Sequence, residues 1–110
     1  NLYFQSNAMK PRDINKLIAS KIFGYEIKDD NIIKDGRYRL GIPLYSQNIE
    51  SAWQVVEKLE YDVKVTKTDL KPKYQVHVFV PGGVKMVFAE TAPMAICKGA
   101  LASVDIELQD

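Results

Sequence analysis

Asn48-Ile-Glu-Ser-Ala-Trp-Gln-Val-Val-Glu-Lys-Leu-Glu60 is the clearest amphipathic stretch in the chain. Ile49, Ala52, Trp53, Val56 and Leu59 recur at helical offsets on one stripe of a period of about 3.6 residues, and Glu50, Gln54, Glu57 and Lys58 fall on the opposite side. Asn48 is placed to cap the free N–H groups of the first turn, and Glu50 adds negative charge where the helix dipole is positive. Trp53, the one tryptophan, sits mid-stripe and reads as a core anchor burying ~150–250 Å². The rest of the chain is expected to pack around this rod.

Upstream, Pro11 suits a first helical turn, and Ile14, Leu17, Ile18 and Ile22 continue at helical spacing until Gly24 ends the run, which predicts a helix over Pro11 to Phe23. Tyr25 and Ile27 offer a short strand, while Asp29-Asp30-Asn31 and Lys34-Asp35-Gly36 read as turns. Arg37 to Tyr45 alternates in part, and Pro43, which has no N–H for a ladder, makes it an edge strand.

Downstream of Glu60 the period drops to two. Val63 and Val65 face one way, and Asp62, Lys64 and Thr66 the other. Tyr74, Val76, Val78 and Val80 share a face of the next strand, with Gln75, His77 and Phe79 opposite. Pro81-Gly82-Gly83 fits a three-residue hairpin loop with Gly83 left-handed, pairing Val80 with Val84, Val78 with Met86 and Val76 with Phe88. That register makes one wholly apolar face. It leaves a mixed one, with Phe79 beside Lys85, His77 beside Val87 and Gln75 beside Ala89, which is expected to be partly covered. Thr91 then caps a last helix with Pro93 in its first turn and a small-residue face of Ala92, Ala95, Ile96, Gly99, Ala100 and Ser103. The order α-β-α-β-β-β-α is an α+β pattern.

Residues 1–8 read as the remnant of a purification tag with a protease site and are set apart from residues 9–110, one ordinary domain. Within the remnant, Leu2, Tyr3 and Phe4 are suited to lie extended against an apolar groove or an unpaired strand edge. No apolar run approaches the ~18–20 residues needed to span a bilayer, so a cytoplasmic protein is expected. Fifteen basic and fourteen acidic residues nearly cancel, which gives no global argument for nucleic acid or membrane. A lone cysteine, Cys97, excludes an intramolecular disulfide and a multi-cysteine metal site.

The segments Gly41-Ile-Pro-Leu-Tyr-Ser-Gln-Asn-Ile-Glu-Ser-Ala-Trp-Gln-Val-Val-Glu-Lys-Leu59 and Ala89-Glu-Thr-Ala-Pro-Met-Ala-Ile-Cys-Lys-Gly-Ala-Leu101 resemble the two best-marked blocks of the phage ABA sandwich domain. Asp13 to Tyr25 is similar to that family's opening helix. The resemblance implies a small phage or prophage protein of a Gram-positive bacterium. It also implies helices on both faces of a small antiparallel sheet, an α/β/α sandwich, and it implies no reaction, cofactor or catalytic residue.

Chemistry has little to work with here. There is one histidine, one cysteine, no Gly-rich phosphate loop and no metal-ligand spacing. A Cys97–His77 pair, and the carboxylates Glu57 with Glu60 or Asp29 with Asp30, are each explained by packing or solvated surface. Tyr45-Ser46 before a helix reads as capping rather than an anion site. No cofactor, small-molecule substrate or membrane contact is expected. The expected role is a non-catalytic module that binds a protein partner or another copy of itself through the mixed sheet face. Lys64, Lys67, Gln75, His77, Phe79 and Lys85 are its candidate contact residues. The alternative is a weak nucleic-acid binder that uses the same lysines with Tyr74, Phe79 and His77.

Overall fold

The structure, a computed structural model, describes residues 9–108. The tag remnant and the contact expected of Leu2, Tyr3 and Phe4 lie outside those residues. The elements follow the expected α-β-α-β-β-β-α order in an α+β fold, and where the pattern points to one edge strand before the second helix there are three short ones. They are α1 (Pro11–Leu17, continued by a π-helical turn Ile18–Ile22), β1 (Glu26–Lys28), β2 (Asn31–Lys34), β3 (Tyr38–Gly41), α2 (Ile49–Lys58), β4 (Asp62–Lys67), β5 (Tyr74–Val80), β6 (Gly83–Ala89) and α3 (Ala92–Ser103). The strands form two antiparallel three-stranded sheets, β1-β2-β3 and β4-β5-β6.

The first helix starts at Pro11 without a side-chain cap and carries Asp13 in its first turn. Its last turn widens, the Phe23 N–H reaching the Ile18 carbonyl at 3.2 Å, before Gly24 turns the chain at φ +75°. The wider turn places Phe23 against Tyr45, ring centroids 5.2 Å apart. In the sheet that follows, Asp29 and Asp30 both take positive φ in a two-residue hairpin turn, and Asp30 pairs with Lys16 of α1. β3 is an edge strand, as expected, but it ends at Gly41, short of the expected Arg37-to-Tyr45 extent and before Pro43, which has no N–H for a ladder.

Helix α2 begins where expected, with the Asn48 Oδ1 accepting from the Ser51 N–H at 3.0 Å. Its buried face differs. Ala52 and Val55 are buried and Val56 and Leu59 partly so, whereas Ile49 and Trp53 are each 50% exposed. Trp53 is therefore not the core anchor. α2 lies against α3, and Ala52 at their seam permits a close approach that an indole would prevent.

The organising element is α3. Seven of its twelve residues are buried: Ala95, Ile96, Cys97, Gly99, Ala100, Leu101 and Ala102. It packs on β5 and β6 on one side and on α2 and the π-helical turn on others, as a helix apolar around its circumference must. Thr91 caps it, its hydroxyl oxygen accepting from the Met94 N–H at 3.3 Å. Gly99 is the point of closest approach. A methyl group there would sit 2.9 Å from Val76 Cγ1 and 3.2 Å from Val78 Cγ2.

The β5–β6 hairpin corrects the expected register. Val80 pairs with Gly83, so the loop is Pro81-Gly82, and Gly82, not Gly83, takes the left-handed conformation at φ +82°. Proline followed by a left-handed glycine is the residue pair of a type II turn. A loop shorter by one residue moves each β6 side chain to the other face. Val87, Lys85 and Ala89 now join Val76, Val78 and Tyr74 on the α3 side, while Val84, Met86 and Phe88 turn outward.

Leu101→Ala should cost about 2–5 kcal/mol, and Trp53→Ala no more than about 1–2 kcal/mol although it removes the larger side chain. Gly99→Ala should cost about 1–3 kcal/mol from overpacking, offset in part by about 1 kcal/mol of helix propensity. Urea titrations of the three variants check the order. A Trp53 variant less stable than the Leu101 variant would return the core to α2.

Candidate interaction surface

Alternation along each strand and the observed pairing define the outer face of the second sheet as three cross-strand rows. These are Asp62, Phe79 and Val84; Lys64, His77 and Met86; and Thr66, Gln75 and Phe88. The face grades from polar on β4 to apolar on β6. Phe79, Val84, Met86 and Phe88 are 37–52% exposed, because the helical cover α3 lies on the other side. The mixed face, expected to be partly covered, is thus open and more apolar than the sequence reading made it.

Local contacts hold the side chains of this face in place. The rings of His77 and Phe79 stack with centroids 6.1 Å apart, and the Gln75 Nε2 lies 3.1 Å from the Met86 sulfur. The His77 Nδ1 is buried with no hydrogen-bond partner among the described residues.

Of the six candidate contact residues, Lys64, Gln75, His77 and Phe79 share this face. The other two do not. Lys67 lies opposite Tyr74, on the side that carries Val63 and Val65. Lys85 lies opposite Val78 on the α3 side, its Nζ 3.5 Å from Asp105 Oδ1. Val84, Met86 and Phe88 are the surface residues that sequence reasoning assigned to the core. The residues that carry this register are Pro81-Gly82, which suit the two central positions of a type II turn.

The reactive groups do not converge. Cys97 is fully buried on α3, and burial pushes its thiol from 9.0 up to about 12. His77 stands on the far side of the sheet from it. Among the described residues no three His, Cys, Asp or Glu side chains could hold a metal ion together. Tyr45 and Ser46 serve neither as caps nor as an anion site. Tyr45 is 2% exposed, and burial chiefly, with lesser contributions from Tyr25 and Cys97, raises its phenol from 10.0 to about 12. Ser46 ties α1 to the loop: its N–H donates to the buried Asn15 Oδ1 at 2.8 Å and its hydroxyl to the Pro11 carbonyl at 3.3 Å.

Two other surface features stand out. A shallow hollow of about 270 Å³ is lined by Phe23, Tyr25, Ile32, Leu40, Pro43 and Gln54 among others, and Gln54 also borders a separate, open depression beside Ile49 and Trp53. A groove of about 400 Å³ runs along β6, with residues 84–88 on one wall and Lys98, Ala102, Glu107 and Leu108 on the other.

These observations define a small α+β domain with one sheet face covered by a helix and the other open. Residues 16–101 match the model of the phage ABA sandwich domain, and the chain belongs to that family. It is a phage-associated domain. No curated protein matches the chain. Among the described residues no helix is long and apolar enough to cross a membrane.

The buried thiol and phenol set an alkaline limit on stability. Below about pH 8 both groups are protonated whether the chain is folded or not, and they contribute no pH dependence. From about pH 8 to about 12 the unfolded chain ionises Cys97 and then Tyr45 while the folded chain does not, so stability falls as pH rises. Tyr45→Phe should flatten the part of that fall above pH 10, read as the urea midpoint against pH. An unchanged slope would mean that the phenol is not held neutral by the fold.

Proposed function

We propose that this phage-associated domain is an interaction module without chemistry of its own, working in the bacterial cytoplasm and docking a protein partner on the outer face of the β4–β6 sheet. The observation that carries the reading is the contiguous apolar half of that face, Phe79, Val84, Met86 and Phe88, left half-exposed side by side on adjacent strands. Contiguous apolar surface rimmed by polar groups, here Asp62, Lys64 and Thr66, is the usual composition of a protein-docking patch.

A nucleic-acid reading has one observation in its favour, two phenylalanines and a histidine on an open sheet face beside Lys64, which suits base stacking. Charge weighs against it. Lys67 and Lys85 lie toward the other side of the sheet, Asp62 sits on the face itself, and the net charge is only +1.

A photo-crosslinking residue placed at Phe79 and expressed in the bacterial cell with the phage's other proteins should give protein adducts. The same residue at Leu70, exposed but off the face, should not. A mobility shift with single-stranded DNA should be absent at low salt. A shift that collapses as salt is raised and is lost in Phe79→Ala would replace the protein reading with the nucleic-acid one.

A further inference from the structure

The sheet order β4-β5-β6 leaves two edges, and they differ in a way that bears on assembly. β4 carries Asp62, Lys64 and Lys67 among six residues, the kind of charge that blunts an edge against pairing. β6 is seven residues long with one charge, Lys85, and no proline. We propose that the chain pairs with a second copy of itself through the outer edge of β6, antiparallel and centred on Met86, so that two outer faces become one six-stranded face. The inference goes beyond the docking function proposed above and stands or falls separately from it.

The backbone geometry identifies the groups available. The Lys98 Nζ donates to the Phe88 carbonyl at 2.7 Å, so that carbonyl points away from β5, and in the pairing the Val84 N–H of the second copy takes the ammonium's place on it. In an antiparallel ladder the direction alternates by residue, so Val84 and Met86 also direct their N–H and C=O groups outward. Among the described residues β6 pairs with β5 alone, and a groove of about 400 Å³ runs beside residues 84–88.

The side chains suit a two-fold axis. Centred on Met86, the pairing sets Val84 against Phe88 of the second copy, Met86 against Met86, and Lys85 against Val87. Each outward position then meets an apolar partner, and the one charge on the strand meets no like charge directly opposite. A contact made of two seven-residue edges falls below the ~1,200 Å² of a stable interface, so the dimer is concentration-dependent rather than obligate.

Sedimentation velocity across a concentration series tests this with the whole chain. The parent should shift from monomer to dimer as concentration rises. Met86→Pro should weaken dimerisation about tenfold or more, because the lost N–H faces outward and the ladder to β5 survives. Circular dichroism checks that the fold is retained, and if it is not, Met86→Lys serves in its place by setting two lysines face to face. Phe79→Asp, on the middle strand, should leave the dimer intact. A parent monomeric at every concentration, or a dimer indifferent to the Met86 substitutions, overturns the edge pairing. Protein adducts from position 79 on a strictly monomeric chain would sink the pairing while leaving the docking function standing.

Discussion

The close approach of α3 to β5 at Gly99 is the constraint on which the other parts depend. With no side chain at that position, the helix backbone settles onto the methyl groups of Val76 and Val78, and stiff β-branched valines on a pleated strand offer little room to give way. Once seated there, α3 has sheet on one side and must bury apolar side chains on its others. Ile96, Cys97 and Leu101 do so, and they count with Val55, Val76 and Val78 among the largest fully buried side chains. α2 and the π-helical turn close over what remains. Tyr45 belongs to the same core, held by its stack on Phe23 and by the Asn15–Ser46 hydrogen bond that ties the loop to α1.

The same arrangement explains why one sheet face is open. α3 is the helix that packs on the second sheet, and it covers the face bearing Val76, Val78 and Val87. The Pro81-Gly82 turn then decides what the uncovered face presents, because a two-residue loop sends Val84, Met86 and Phe88 outward and Lys85 inward. The outward residues make a surface that is costly to leave in water, and that cost is the physical source of its capacity to bind.

Much of this was legible in the residues. The α+β class and element order followed from the periods. The caps at Asn48 and Thr91 and the helix stop at Gly24 followed from local chemistry, and the family resemblance from the words around Trp53 and Cys97. What was not legible was set by tertiary fit. Val84 to Phe88 carries apolar residues at both odd and even positions, so hydrophobic alternation could not choose between the two hairpin registers that Pro-Gly-Gly permits. The apolar stripe of α2 is wide enough to seat either Ala52 with Val55 or Ile49 with Trp53, and the shape of α3 selects the smaller pair. β1 falls on the short strand that Ile27 offered, while β2 is too short for a period to register. Four of the six candidate surface residues came together because their strands were read in the right phase. Lys85 was lost to the register shift, and Lys67 by its own alternation already belonged with Val63 and Val65.

Native-state hydrogen exchange addresses the primacy of α3 most directly. If its seat on β5 holds the fold together, the amides of Ile96 to Ala100 and of Val76 and Val78 exchange only through global unfolding, with one common free energy, while α2 and the β1–β3 sheet open at lower cost. Slowest exchange in α2, with α3 opening ahead of it, would contradict that order and make the tryptophan-bearing helix the centre of the structure after all.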